Sequence, residues 1–198
     1  MAVSVDDIKK LKELTGVGLT DAKLALVEAD GDFDKALEAM RKKGLTKAEK
    51  KADREALAGI IDSYVHGGRI GVLVEVNCET DFVARTDGFK EFAHMVALQV
   101  ASMAPVYVSQ DDIPADELER VRNEALASDT LKSKPADIAE KIVDGQVKKH
   151  FADKVLLNQN YIMDDSKTVE QYLKENVAKT GENIVIRRFN RIELGVND

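Results

Sequence analysis

Cysteine and histidine are the residue types most suited to nucleophilic or metal chemistry, and both are scarce in this chain. It contains one cysteine, Cys78, and three histidines, His66, His94 and His150. Their spacing matches none of the zinc-binding patterns, in which these residues come in closely spaced pairs. A Cys–His pair for nucleophilic catalysis stays open. We interpret Cys78 as a small core residue, because it lies in a β-branched run and free cysteine is readily buried. We interpret His94, which lies between apolar helix residues, as structural.

Motifs for phosphate binding and ester hydrolysis are also missing. Gly16-Val17-Gly18 resembles a fragment of a phosphate-binding loop, but it lacks the lysine and no predicted strand precedes it. Neither G-x-G-x-x-G nor G-x-S-x-G occurs. The sequence therefore predicts no metal, no cofactor and no catalytic residue, and it favours a protein that acts by binding rather than an enzyme.

The stretch Asn-Cys-Glu-Thr-Asp-Phe-Val-Ala-Arg, residues 77–85, joins a predicted strand to a predicted helix. Turn-forming residues are expected at such a joint, yet Asp81 is followed at once by the large aromatic Phe82. Two interpretations of Phe82 are open: a core residue between strand and helix, or an exposed anchor for a partner. For Asp81 the alternatives are an N-cap of the following helix and an interface residue, and these two roles are compatible.

Three short helices are predicted in residues 1–45. Ser4 is suited to begin the first, since Asp7 follows at capping-box spacing. Tight turns at Gly16 and Gly31 separate the helices, and the third is expected to end before Gly44. The leucines expected to pack the three helices together are Leu11, Leu14 and Leu26. At about 45 residues such a module has a thin core.

Residues 46–56 are rich in Lys, Ala and Glu and are interpreted as a solvated helix or linker, and residues 57–198 as the core of the protein. Alternating apolar residues predict strands at 57–65 and 69–78, joined by a turn at Gly67-Gly68. Helices are predicted from Thr86 or Asp87 to Met103, and at 115–128, 135–153 and 168–177. Residues 154–165 read as irregular, and 183–194 as a third strand.

Composition narrows the class of function. The chain has 198 residues, of which 44% are hydrophobic, and a net charge of −7, so its surface as a whole does not attract nucleic acid. One basic cluster could touch RNA or an acidic partner, although we favour a solvated connector; it comprises Arg41, Lys42, Lys43, Lys47, Lys50 and Lys51. A single cysteine, with no apolar run long enough for a membrane span and no secretory signal, leads us to expect a cytoplasmic protein.

Two stretches of the sequence resemble the bacterial elongation factor Ts family. Residues 11–26, Leu-Lys-Glu-Leu-Thr-Gly-Val-Gly-Leu-Thr-Asp-Ala-Lys-Leu-Ala-Leu, are similar to the family's N-terminal module, which itself resembles ubiquitin-associated domains. Residues 75–85, Glu-Val-Asn-Cys-Glu-Thr-Asp-Phe-Val-Ala-Arg, are similar to its core motif. Leu19-Thr20 stands where many members carry two methionines, and Lys12 where arginine is common. With one hairpin-bearing unit, the chain resembles the short form of the family.

The resemblance implies an α+β fold: a three-helix ubiquitin-associated-like module followed by a small antiparallel three-stranded sheet packed with helices. It also implies guanine-nucleotide exchange on elongation factor Tu. Phe82 would enter an apolar pocket of that partner and Asp81 would disturb the polar network around its Mg²⁺, with Thr80 and Val83 setting the turn. The expected contacts of the N-terminal module with the partner are Lys12, Val17 and Leu19. Short members are expected to form homodimers.

A rival hypothesis is a ubiquitin-associated-type adaptor without exchange activity, in which residues 1–45 bind a partner and the rest is scaffold. That hypothesis requires an exposed apolar patch on the module, and it leaves residues 80–85 unexplained. A hidden enzyme would rest only on Cys78 and scattered carboxylates.

Overall fold

The computed structural model describes residues 3–127 and 135–196. The first half of the chain forms three helices, a β-hairpin, a one-turn helix and a long helix: α1 (Val5–Thr15), α2 (Leu19–Glu28), α3 (Phe33–Glu49), β1 (Ala58–His66), β2 (Ile70–Cys78), α4 (Asp81–Ala84) and α5 (Asp87–Met103). The second half contains α6 (Ala115–Leu126), α7 (Ala136–Phe151), β3 (Asn160–Tyr161), β4 (Asp164–Thr168), α8 (Val169–Thr180) and β5 (Ile184–Glu193). The predicted α+β class and architecture are confirmed.

The sheet has the order β1-β2-β5, and β2 pairs antiparallel with both neighbours. The hairpin turn is the predicted one: Gly67 and Gly68 have φ of 55° and 68°, and Arg69 N–H donates to the His66 carbonyl at 2.9 Å. These dihedrals suit the right-handed twist of a two-residue hairpin. The alternation of apolar residues in β2 therefore corresponds to side chains that point alternately to the two faces of the sheet.

The inner face of the sheet packs against α5 and forms the main core. Val72, Val74 and Val76 of β2 are buried there, together with Phe89 and Phe92 of α5. As predicted, α5 begins after Thr86, whose hydroxyl accepts the Phe89 N–H at 3.3 Å, and it stops just before Pro105. The opposite face, which we call the outer face, carries Ile61, Val65, Leu73 and Ile192, each more than half exposed.

The three N-terminal helices bury their own small core around Leu11 and Leu26, as predicted. The prediction for Leu14 is wrong, because its side chain is 48% exposed and faces a groove toward α8. Ser4 caps α1 through a 3.2 Å hydrogen bond from Asp6 N–H to its hydroxyl. The module therefore has a core of the thin kind expected from its length.

The predicted end of the third helix before Gly44 is wrong, since α3 continues to Glu49. Its last turns pack on α8, where a Cβ added at Gly44 would lie 3.3 Å from the Ala178 Cβ. Tertiary packing against α8 thus compensates for the poor helix propensity of glycine. Residues 46–49, the start of the segment interpreted as a solvated helix or linker, are helical and continue α3, so that residues 50–57 connect this helix to β1.

Most cations of the basic cluster have acidic or carbonyl partners. Lys42 Nζ lies 2.8 Å from the Glu38 carboxylate, Arg41 Nε 3.9 Å from Glu175, and Lys43 Nζ 3.9 Å from Asp21. The Lys51 ammonium donates to the Gly181 carbonyl. These contacts agree with the interpretation of the cluster as a solvated connector with acids nearby.

One further difference from the predicted elements lies between α7 and α8. Residues 154–165, expected to be irregular, hold a 3₁₀ turn at Leu156–Asn158 and the short hairpin β3–β4, and a two-residue strand is too short to leave a periodic pattern. The predicted 115–128 helix extends beyond the described residues at its last position. Across residues 3–127 and 135–196, no helix has the length and apolar character needed to cross a membrane.

Gly16 is expected to be essential to the packing of α1 on α8. It ends α1 with φ of 68°, and an added Cβ would lie 2.7 Å from the Lys179 Cγ and 2.8 Å from its Cα. Gly16→Ala should therefore destabilise the protein by more than about 1 kcal/mol, roughly a 2–4 °C loss in thermal unfolding temperature. Gly18→Ala is the matched control, since Gly18 has φ of −65° and nothing within 4 Å of an added Cβ. Equal unfolding temperatures for the two variants would contradict this packing.

Candidate interaction site

The conspicuous stretch at residues 77–85 leaves the centre of the sheet and turns into α4. Thr80 is the N-cap of this one-turn helix, and its hydroxyl accepts the Val83 N–H at 3.5 Å. The N-cap alternative for Asp81 is therefore wrong, because Asp81 is the first helical residue. An acidic side chain there still suits the positive end of the helix.

Phe82 projects from α4 into solvent with 81% of its surface exposed. Its neighbours Val83 and Ala84 turn inward and pack on the main core, and Ala84 is only 5% exposed. A single helical turn places successive side chains about 100° apart, so anchoring Val83 and Ala84 directs Phe82 outward. The core-residue interpretation of Phe82 is wrong.

Asp81 is also exposed, and in this state its carboxylate is paired. Arg85 Nη2 donates to Asp81 Oδ2 at 2.7 Å, and the two side chains are 78% and 58% exposed, respectively. An exposed pair four residues apart contributes only about 0.3–0.5 kcal/mol. A partner can therefore separate Asp81 from Arg85 at small cost.

A second segment, the turn between α8 and β5, holds this loop from the side. Glu182 accepts the Thr80 N–H at 3.0 Å and the Thr80 hydroxyl at 2.6 Å. In the other direction, Glu79 Oε1 accepts the Asn183 N–H at 2.6 Å. Sequence reasoning missed Glu79, Glu182 and Asn183. The only local signal was a polar Thr-Gly-Glu-Asn turn, residues 180–183, about 100 positions away.

Cys78 lies directly beneath the loop and is fully buried, as predicted. Its thiol donates to the Thr80 carbonyl at 3.1 Å. Burial raises the pKa of the Cys78 thiol, and the negative charge of Glu182 raises that pKa further. A protonated, inaccessible thiol is a poor nucleophile, so a catalytic role for Cys78 finds no support.

Slow alkylation should accompany this burial. We expect Cys78 to react with iodoacetamide far more slowly in the native protein than in denaturant. Because its pKa is higher in the folded than in the unfolded state, its stabilising contribution is complete below the ordinary thiol pKa of about 8.5 and falls as the pH rises beyond it. Urea midpoints at about pH 7 and about pH 9.5, compared with those of Cys78→Ala, measure this loss. Native labelling as fast as in denaturant would contradict the burial.

The structure also bears on His94 and on possible metal sites. His94 Nδ1 contacts the Asp62 carboxylate of the adjacent strand at 2.9 Å, which agrees with a structural role. Within the part of the chain that the structure describes, no three His, Cys, Asp or Glu side chains are arranged to hold a metal ion.

The residues predicted as contacts on the N-terminal module lie around the α1–α2 turn. Lys12 is exposed on α1, and Leu19 is 52% exposed at the start of α2. Val17 is half-buried and packs against the core of the module. Lys12 and Leu19 are therefore accessible, whereas Val17 also supports the fold of the module.

Comparisons with known proteins agree with this geometry. The family model described as elongation factor TS matches residues 45–179. The chain belongs to the elongation factor Ts family. It is 54% identical over 196 residues to elongation factor Ts of Thermotoga petrophila, covering 98% of each chain. The relative from Thermoanaerobacter sp. (strain X514) is 50% identical, with 98% of this chain and 95% of the relative covered, and that from Coprothermobacter proteolyticus is 49% identical, with 98% and 100% covered.

Membership of the elongation factor Ts family makes the protein a translation elongation factor in its broad class. The relatives have nearly the same length as this chain, which agrees with the short form of the family. The resemblance inferred from residues 11–26 and 75–85 is thereby confirmed.

Proposed function

We propose that this protein is a guanine-nucleotide exchange factor for elongation factor Tu. The observation that supports this most is the 81% exposure of Phe82 on a short helix whose neighbouring residues are anchored in the core. An exposed aromatic held in a fixed direction is unfavourable in water and well suited to an apolar pocket of a partner. The protein would act by binding, in the cytoplasm, without a cofactor and without contacting nucleic acid.

The exchange would follow from linkage between two ligands of elongation factor Tu. The factor and the nucleotide weaken each other's binding by the same factor, as reciprocity requires. Phe82 would insert into the partner and displace elements near the nucleotide, while Asp81, released from Arg85, would disturb the polar network that holds Mg²⁺. Since Mg²⁺ bridges the protein and the phosphates of a bound nucleotide, a small shift there removes much of the affinity for GDP. Thr80 and Val83 would set the direction of this movement.

Docking of the N-terminal module would bring the core motif to its target. Lys12 and Leu19 are accessible for such docking, and Val17 would contribute its exposed part. A second contact surface on the same chain raises the local concentration of Phe82 at the nucleotide site.

Reciprocal binding tests this proposal. Nucleotide-free elongation factor Tu should form a stable complex with the protein on size-exclusion chromatography, and excess GDP should dissociate it. A complex whose affinity does not change with GDP would contradict exchange activity.

We further propose that two copies pair through the outer face of the sheet. Val65 and Ile192 flank Gly71 in one row across the strands, and Leu73 follows in the next row. The side chains of Val65, Leu73 and Ile192 are 67%, 54% and 66% exposed. Apolar side chains concentrated on one face of a three-stranded sheet are characteristic of a buried interface.

The charges on this face also support pairing with a second copy. In the row below Leu73, Arg188 Nε lies 2.7 Å from the Glu75 carboxylate. A two-fold axis through the face would place each of these opposite charges against its counterpart in the other copy, which makes the surface self-complementary. The dimer would bury the apolar rows and keep α4 free.

The adaptor hypothesis has one observation in its favour. Leu19, Leu24 and Val27 of α2 are 52%, 52% and 53% exposed, so the module carries the apolar surface that an adaptor needs. It gives no account of Phe82. The adaptor hypothesis is the better one if two results are found together. Phe82→Ala would bind elongation factor Tu as tightly as the unmodified protein, and neither protein would change the rate of nucleotide release.

A further inference from the structure

The loop that carries Phe82 is fixed by an exchange of hydrogen bonds with the α8–β5 turn. Glu182 uses both carboxylate oxygens: Oε2 accepts the Thr80 N–H at 3.0 Å, and Oε1 accepts the Thr80 hydroxyl at 2.6 Å. The Thr80 hydroxyl donates a hydrogen bond to Glu182, and its oxygen accepts the Val83 N–H at 3.5 Å. Donation to a carboxylate polarises that hydroxyl and strengthens it as a helix cap.

Glu79 makes the reverse contact. Its Oε1 accepts the backbone N–H of Asn183 at 2.6 Å, and Arg54 Nη1 lies 3.5 Å from the same oxygen. Each segment thus provides one carboxylate that accepts hydrogen bonds from the other segment. The two segments are about 100 positions apart in the chain. Sliding or tilting of one segment against the other would therefore break the hydrogen bonds to Glu182 and the hydrogen bond to Glu79 together.

The same turn also holds the segment that leads from the N-terminal module. The Asn183 side-chain amide donates to the carbonyls of Ala52 and Arg54 at 3.1 and 2.7 Å, and Asn183 is 4% exposed. The α8–β5 turn therefore joins the connection from α3 to the loop before α4.

We infer that Glu182 is a positioning residue that presets the direction of Phe82, an inference that rests on the proposed exchange function. With 81% of its surface in water, Phe82 has little packing to hold it, so its direction is that of α4. A four-residue helix cannot sustain itself, because forming the first turn is unfavourable. The packing of Val83 and Ala84 fixes one side of α4, and the two hydrogen bonds that Glu182 accepts from Thr80 fix its N-cap.

Removing the Glu182 carboxylate leaves the Thr80 N–H and hydroxyl without these acceptors, so the loop samples orientations that cannot dock. When only a fraction of molecules is competent, the apparent dissociation constant rises by the inverse of that fraction, whereas the saturated complex is unchanged. Glu182→Ala should therefore raise the concentration that half-saturates GDP release roughly 10-fold while the maximal rate stays near that of the unmodified protein. Glu182→Gln, which keeps one acceptor oxygen, should give an intermediate value.

The test is the rate of fluorescent GDP release from elongation factor Tu over a range of concentrations of each full-length variant. Glu170→Ala is the matched control, since Glu170 lies on α8, is 48% exposed and pairs with Lys174 at 2.9 Å. Hydrogen exchange in the free protein gives a second readout: the Thr80 amide should lose protection in Glu182→Ala while the Val74 amide in β2 keeps it.

The outcomes separate the two proposals. If the unmodified protein accelerates release and Glu182→Ala shows the same half-saturating concentration, the positioning role is wrong and the exchange function stands. A maximal rate that falls in proportion to the folded fraction, with half-saturation unchanged, would mean a merely structural role and would also overturn it. If the unmodified protein does not accelerate release at all, the exchange function fails and the positioning role falls with it.

Discussion

Phe82→Ala is expected to lower the apparent second-order rate constant for GDP release from elongation factor Tu by roughly 30-fold. Truncating an aromatic anchor that is buried in an interface typically costs about 2 kcal/mol or more, and the proposed docking would bury the exposed Phe82 side chain in this way. Its removal should leave the fold intact. We expect the free energy of unfolding to change by less than about 0.5 kcal/mol, because exposed side chains contribute little to it.

A matched control separates this effect from a general loss of apolar surface. Met163, in the turn between β3 and β4, is 66% exposed, and Met163→Ala should not change the release rate. Circular dichroism and thermal unfolding of both variants show whether they are folded. Phe82→Ala with the activity of the unmodified protein would contradict the role of Phe82, and an unfolded Phe82→Ala would point to a structural role instead.

Leu73→Lys is expected to convert a dimer into a monomer. Leu73 lies on the central strand of the outer face and is 54% exposed. At a two-fold interface one substitution places two ammonium groups in the buried surface, and an uncompensated buried charge costs several kcal/mol. A loss of about 4 kcal/mol weakens association roughly 1,000-fold, enough to dissociate a micromolar dimer.

Sedimentation equilibrium at micromolar concentration measures this change. Leu126→Lys is the control, because Leu126 is 50% exposed at the end of α6, a helix that packs against α7. The unmodified protein and Leu126→Lys should sediment as dimers and Leu73→Lys as a monomer. A strictly monomeric unmodified protein would contradict the dimer, and a dimeric Leu73→Lys would place the contact elsewhere.

Much of the fold could be predicted because the relevant patterns are local. Alternation over residues 57–78 and the Gly67-Gly68 turn define the hairpin, and they correspond to two strands with different faces. The end of α3 could not be predicted, because Gly44 reads as a helix stop and becomes a close contact only when α8 is present. The exposure of Leu14 could not be predicted for a related reason. Helical periodicity shows that Leu14 shares an apolar face of α1 with Leu11, but it does not show which of these residues a neighbouring helix covers.

The position of the candidate site in the chain could be predicted from the sequence, but the geometry of the site could not. Residues 80–83 form a recognisable motif, yet the residues alone favour a core position for Phe82 at a strand-to-helix joint, and only the family resemblance favours an exposed one. The answer depends on Val83 and Ala84 filling the core in its place. The contacts of Glu79 and Glu182 join segments about 100 residues apart, and no local pattern encodes such pairing.

The proposed exchange activity can be measured as the release of a fluorescent GDP analogue from purified elongation factor Tu, followed by stopped-flow fluorescence. The release rate should rise with the concentration of this protein and saturate, because the nucleotide leaves from a complex of the two proteins. A release rate equal to the spontaneous one at every concentration would contradict the proposed exchange function.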